Sequence, residues 1–246
     1  MKALVLAAGL GTRLAALQFE GPKPMLPIDG RPLLEHTVGL LRAHGVSEIA
    51  INLHYRAEAV VRHLGDGEAF GIKLVYSWED RLLGTAGAAK RLERFLDQSF
   101  YVIYGDVLTD LDLSSLAAWH AVNQAVLTMA LYRVDDPGRV GIVELGAGGR
   151  VERFREKPGP AEVSSNLAST GIFVAEPRIL ERIPADSFRD FGQHLIPSLL
   201  EEGLPVYGRP ADGYVLDIGS PERYGQALRE ASAGRVQLHA LQPAID

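Results

Sequence analysis

Strand-like and helix-like segments alternate through the first half of the chain, and this alternation limits the fold more than any other feature. Ala3 to Ala7 is a continuous apolar run. Pro32 to His44 is helical, with Leu34, Val38 and Leu41 on one face; Pro32 suits its first turn and Gly45 its end. Glu48 to Leu53 reads as a strand, Arg56 to Leu64 as a short helix and Ile72 to Tyr76 as a strand. Thr85 to Leu96 reads as a helix and Phe100 to Tyr104 as a strand. The second half holds strand-like stretches at Val126 to Val134 and Val140 to Leu145. Gly146, Gly148 and Gly149 then turn the chain into Val151 to Phe154. A strand at Ala168 to Ala175 follows, with helical patterns at Phe191 to Glu202 and Pro221 to Ala231. The pattern predicts an α/β, Rossmann-like fold: a mixed, mainly parallel sheet with helices on both faces. Ligands of such sheets bind beyond the carboxyl ends of the strands.

At 246 residues the chain is long for one domain and short for two, and one domain is the simpler reading. It has 0 cysteines, which excludes disulfides and thiolate metal sites and suits a reducing, cytoplasmic setting. The net charge of −6 argues against general nucleic-acid binding. No apolar run is long enough to cross a bilayer, so no membrane partner is expected, and Met1 to Ala8 reads as a buried strand rather than a signal peptide. An acidic chain that handles phosphate needs a few placed cations, loop amides and a metal ion. The seven histidines are scattered without metal-ligand spacing, and Trp78 and Trp119 read as packing.

The first strand runs into a glycine-rich loop, Leu6 to Leu14 (LAAGLGTRL). It is not a P-loop, because no Gly-Lys-Ser/Thr follows. It is not the dinucleotide fingerprint, because Leu14 stands at the third glycine position and the second strand ends Asn52-Leu53-His54 without an acid. Glycines allow backbone amides to approach phosphate oxygens. Arg13 adds a fork of donors, and Lys23, stiffened between Pro22 and Pro24, a point charge. By itself the stretch equally suits a plain tight turn with both cations solvated.

In conjunction, GLGTRL and PKPMLPI resemble the opening of the sugar-1-phosphate nucleotidylyltransferases, and later segments agree in order. Leu83-Gly84-Thr85-Ala86-Gly87 resembles the family's base-binding segment; alone it would be a helix start capped by Thr85. Tyr104-Gly105-Asp106 and Tyr214-Val215-Leu216-Asp217-Ile218-Gly219 resemble the segments carrying the metal-binding aspartates. Glu156-Lys157-Pro158 and Ser165-Asn166-Leu167-Ala168-Ser169-Thr170-Gly171 resemble the sugar-phosphate segments. Ala15 to Gln18 and Val215 depart from the family pattern.

The resemblance implies transfer of a nucleotidyl group from an NTP to a sugar 1-phosphate, releasing pyrophosphate. It implies NTP binding by Leu6, Ala8, Gly9, Leu10, Gly11, Thr12, Gly84, Thr85 and Ala86, with Arg13 and Lys23 catalytic. It implies sugar-phosphate binding by Gly141, Glu156, Lys157, Asn166, Thr170 and Gly171, and Mg²⁺ on Asp106 and Asp217. Residues 1–110 would form the NTP-binding half and 111–232 the sugar-phosphate half, with no C-terminal β-helix. A homo-oligomer is left open. The Leu83 to Gly87 pattern, with Phe191-Gly192, Ile196-Pro197 and Tyr207-Gly208, resembles enzymes joining GTP to mannose 1-phosphate. The Ser165 to Gly171 pattern resembles those joining glucose 1-phosphate to a pyrimidine nucleotide. A rival of another class is a catalytically silent binding subunit.

Overall fold

The structure, a computed structural model, describes residues 1–9 and 11–243, without the side chains of Thr12, Arg13 and Ala15. In chain order the elements open with β1 (Lys2–Leu6), β2 (Pro27–Ile28), β3 (Arg31–Pro32), α1 (Leu33–Ala43), β4 (Glu48–Leu53), α2 (Ala57–Leu64) and β5 (Lys73–Trp78). They continue with α3 (Gly84–Arg91), β6 (Phe100–Tyr104), β7 (Val107–Thr109), α4 (Leu113–Val122), β8 (Leu127–Arg133), β9 (Gly141–Leu145) and β10 (Val151–Glu156). The last are β11 (Leu167–Ala175), α5 (Ile196–Glu201), β12 (Val206–Pro210), β13 (Val215–Asp217) and α6 (Pro221–Ser232). The fold is mixed α/β with a mainly parallel sheet, as the sequence predicts. No helix among the described residues is long and apolar enough to cross a membrane.

The chain divides into two compact units, the first of residues 1–82, 103–112 and 213–246, the second of residues 83–102 and 113–212. In the first unit β1 pairs in parallel with β4, and β4 with β5; Ala3 stands opposite Ile49 and Ile49 opposite Leu74. The inner residues of β1 and Ile49 to Leu53 of β4 are buried, so these strands read as continuous apolar runs rather than alternations. α1 buries Leu33, Leu34, Val38 and Leu41, and is followed by Gly45 as expected. A small antiparallel ladder pairs β13 with β7, placing Asp217 opposite Val107. Beside it Leu14, Leu26, Ile28, Leu108, Leu216 and Ile218 form an apolar cluster, with Leu17 packed on it. The departure at Ala15 to Gln18 therefore leaves the packing residues of this stretch, Leu14 and Leu17, in place.

The second unit is largely antiparallel. β11 pairs with β8, β9 with β10, and β12 joins β8 in parallel. The β11–β8 register shifts between Ser169 and Phe173, and Thr170 and Gly171 lie within that irregularity.

Several expected boundaries move. α3 ends at Arg91 rather than Leu96. The helix expected from Phe191 begins with a π turn, Phe191–Leu195: Leu195 N–H donates to the Asp190 carbonyl and Ile196 N–H to that of Phe191. Pro197 has no N–H with which to extend that pattern. Trp78 is only partly packed: at 46% exposure it is among the most exposed large apolar side chains. Its place at the end of β5, beyond the covered part of the strand, is the reason.

Candidate active site

The first unit gathers its polar residues at the carboxyl ends of its strands. β1 ends at Leu6, and buried Ala7 and Ala8 lead to exposed Gly9. Leu10 lies outside the described residues. Gly11 turns the chain with φ +63° into a short helix, Thr12 to Leu17, whose Leu14 N–H bonds the Gly11 carbonyl at 2.9 Å. The side chains of Thr12 and Arg13 lie outside the described residues. The loop is braced from below by Asn52. Its Oδ1 accepts the Ala7 N–H at 2.8 Å, and its Nδ2 donates to Glu79 Oε1 at 2.9 Å, all within the protein. The amide thus stands where a dinucleotide-binding chain would carry its acid, and it holds the loop rather than a ribose.

Lys23 opens a single helical turn, Lys23–Met25, stiffened by Pro22 and Pro24. Its ammonium lies 2.5 Å from Asp106 Oδ2 and 3.7 Å from Asp217 Oδ1, and its side chain is only 8% exposed. Three residues far apart in sequence converge because two backbone ladders fix them. Gly105 N–H donates to the Leu6 carbonyl at 2.9 Å, which joins Asp106 to the end of β1. Ile218 N–H donates to the Asp106 carbonyl at 2.8 Å, which joins Asp217 to Asp106. Arg223 Nε donates to the Asp217 carbonyl at 2.7 Å, and Ser220 caps α6 just below. Val215, where the family pattern has tryptophan, stands opposite Thr109 in the same ladder.

Asp106 and Asp217 are the residues that could hold a metal ion. Their oxygens converge on one cation, the lysine ammonium, so the pair is built to face positive charge. Hard carboxylate oxygens are the donors Mg²⁺ takes, one or two at a time, while it keeps waters and binds substrate phosphates. The donor set therefore fits. No group of three or more acidic or imidazole side chains poised for a metal occurs among the described residues.

The second unit carries the remaining expected residues in two places. At the start of α3, Gly84 has φ +73°, and a Cβ there would stand 2.4 Å from the Arg189 carbonyl oxygen. Thr85 is not the helix cap; Leu83 precedes the helix, and Thr85 sits inside the first turn. Thr85 N and Oγ1 both donate to Asp190 Oδ1, at 3.0 and 3.1 Å. Ala86 N–H donates to the Arg189 carbonyl at 2.8 Å. With these amides engaged, a base edge can be read here through carbonyls or the Gly84 amide.

Glu156 is the last residue of β10 and is partly buried, whereas Lys157 is exposed and holds a left-handed backbone with φ +49°. A Cβ on Gly141 would approach Glu156 Oε2 to 2.9 Å, and one on Gly192 to 2.5 Å. Two glycines thus form the slot for this carboxylate. Burial pushes its pKa above the usual carboxylate range; Lys157 pulls it down and Asp190 pushes it further up. Asn166 is exposed and accepts from Arg133 Nη1 at 2.8 Å. The Thr170 hydroxyl is buried and donates to the Ala130 carbonyl at 2.9 Å, so it supports the irregular turn at Gly171.

Asn52 and Asp190 were not legible as site residues. Asp190 precedes a helical pattern, and an acid there reads as an ordinary cap.

A family model described as nucleotidyl transferase matches residues 2–233. The chain is 36% identical over 243 residues to a UTP–glucose-1-phosphate uridylyltransferase of Synechocystis, covering 93% of this chain and 63% of that protein. It is 33% identical over 224 residues to a mannose-1-phosphate guanylyltransferase of Mycobacterium tuberculosis, covering 90% and 62%. The chain thus spans less than two thirds of the length of these relatives. Among solved structures, a putative glucose-1-phosphate thymidylyltransferase from Bacillus anthracis in complex with sucrose is similar at TM-score 0.85 and 25% identity, over 94% of this chain and 95% of that one. HddC from Yersinia pseudotuberculosis, complexed with GMP-PN, is similar at TM-score 0.78 and 27% identity, over 93% and 98%.

Proposed function

We propose, for a chain that belongs to the nucleotidyl transferase family, the transfer of a nucleotidyl group from an NTP to a sugar 1-phosphate. An oxygen of the sugar phosphate attacks the α-phosphorus in line, the bond to the β-phosphate oxygen breaks, and NDP-sugar and pyrophosphate form. The observation that carries this reading is the meeting of Lys23, Asp106 and Asp217 at the strand ends of the first unit. Such a reaction brings anions together and needs no covalent intermediate, so positioning and charge stabilisation suffice.

In this reading the amides of Leu10, Gly11 and Thr12, with Arg13, hold the β- and γ-phosphates, and Leu6, Ala8 and Gly9 line the NTP site. Lys23 neutralises the α-phosphate as charge builds on it. Gly84, Thr85 and Ala86 seat the base. Asp106 and Asp217 would hold Mg²⁺, which supplies charge neutralisation to the triphosphate when bound. Glu156, in the slot between Gly141 and Gly192, accepts sugar hydroxyls, and Lys157 binds the sugar phosphate. Asn166 contacts the sugar, with Thr170 and Gly171 shaping the strand behind it. Each unit takes its own share: the phosphate loop and metal carboxylates belong to the first, the base segment and sugar residues to the second.

We favour GTP with mannose 1-phosphate or a related manno sugar, on the Leu83 to Gly87 pattern and the likeness to the Mycobacterium enzyme. A second reading, glucose 1-phosphate with a pyrimidine nucleotide, is favoured by the Ser165 to Gly171 pattern and the likeness to the Synechocystis enzyme. We propose a cytoplasmic setting for the reaction, one that a chain without cysteine suits. The test is pyrophosphate release with each NTP, a panel of sugar 1-phosphates and Mg²⁺. A preference for GTP and mannose 1-phosphate is expected. A preference for UTP or dTTP with glucose 1-phosphate would replace the first reading with the second, and no turnover with any pair would favour a silent binding protein.

A further inference from the structure

We propose that Asp190 is a positioning residue that ties the base segment Gly84 to Ala86 to the sugar-side carboxylate Glu156, so that one turn of chain places both substrates. The inference rests on the nucleotidyl-transfer reading.

Three consecutive residues make the tie, all within the second unit. Asp190 Oδ1 accepts from both Thr85 N and Thr85 Oγ1, at 3.0 and 3.1 Å. Phe191 returns the contact, its N–H donating to Thr85 Oγ1 at 2.8 Å. The Phe191 ring is fully buried and stacks on Phe173 with centroids 5.3 Å apart, which anchors the turn in the core. Gly192 then leaves the space that Glu156 Oε2 fills. The Asp190 carbonyl accepts from His194 N–H and Leu195 N–H, both at 3.1 Å, so the same residue starts the π turn. A shift of Asp190 would therefore be felt at Thr85 and at Glu156 together.

The charge on Asp190 is the part that packing does not explain. An asparagine could accept the same two bonds from Thr85. The aspartate instead sets a second negative charge near Glu156 and pushes that carboxyl up, on top of the larger push from burial. The charged groups acting on Glu156 are Lys157, next to it in the chain, and Asp190 from the turn. His194, on the same turn, presents Nδ1 as acceptor to Asp190 N–H. The arrangement suits a carboxylate whose ionisation responds to the turn that also holds the nucleotide segment.

The test uses the full chain as wild type, Asp190→Asn and Asp190→Ala, with steady-state kinetics against NTP and sugar 1-phosphate over a range of pH, and melting curves under the same conditions. Asp190→Ala should raise KM for both substrates, each by about tenfold or more, the scale of a lost charge-assisted hydrogen bond. Asp190→Asn should bring the NTP KM back to near the wild-type value. It should also move the acid limb of kcat/KM for the sugar phosphate to lower pH, because removing a like charge lets Glu156 ionise more easily. An acid limb that stays in place in Asp190→Asn overturns the proposal even if Asp190→Ala does not fold. So does an Asp190→Ala protein that folds and raises only one KM. A wild type without turnover overturns the nucleotidyl-transfer reading instead, and this role falls with it.

Discussion

Lys23 shows how a single residue can be read in a sequence yet only partly placed by it. A lysine between two prolines after a glycine loop reads equally as a placed cation or as a solvated one until the later segments are set beside it. That its ammonium lies 2.5 Å from Asp106 follows from backbone bonds between segments about a hundred residues apart, which no local pattern encodes. Lys23→Ala should lower kcat by about 10³-fold or more, the scale of removing a preorganised charge from a transition state, with folding retained as judged by circular dichroism. Glu156 makes a prediction of opposite kind. Its folded-state pKa is raised by burial, so the ionised carboxylate destabilises the fold above that pKa and the penalty vanishes below the ordinary carboxylate range, where both states are protonated. Glu156→Gln should therefore melt higher than wild type at neutral pH. The difference should shrink to nothing as pH falls through the raised pKa to below about 4.5, while turnover is reduced throughout.

At the scale of elements, the sequence was legible where a run of residues decides its own structure. Glu48–Leu53 and Phe100–Tyr104 are apolar runs with polar punctuation, and both are strands over those residues. The three-residue strands β7 and β13 were not legible, because each exists only through its partner about a hundred residues away. The π turn at Phe191–Leu195 has the sequence of an ordinary helix, since apolar periodicity cannot distinguish the two hydrogen-bond patterns. The glycines of the sugar side were legible as residues but not as a slot. Gly192→Ala would set a Cβ 2.5 Å from Glu156 Oε2 and so displace that carboxylate. We expect KM for the sugar phosphate to rise by about tenfold or more, with KM for the NTP changed by no more than about threefold, measured by initial rates; equal changes in both would contradict the slot.

For the whole molecule, the α/β class and the family followed from order as much as from content. Segments that are each commonplace, such as Glu156-Lys157 or Gly84-Thr85, become specific when they occur in one sequence in the expected succession. The division into two interleaved units was hidden, because residues 103–112 and 213–246 return to the first unit after long excursions. That return is what brings Asp106 and Asp217 to the lysine. The central claim, nucleotidyl transfer at that lysine, is tested most directly by following the label in α- and γ-labelled GTP with mannose 1-phosphate and Mg²⁺, in wild type and Lys23→Ala. The α-label should appear in the sugar nucleotide and the γ-label in pyrophosphate, with both products lost in Lys23→Ala. A γ-label on the sugar, or undiminished transfer by the variant, would contradict it.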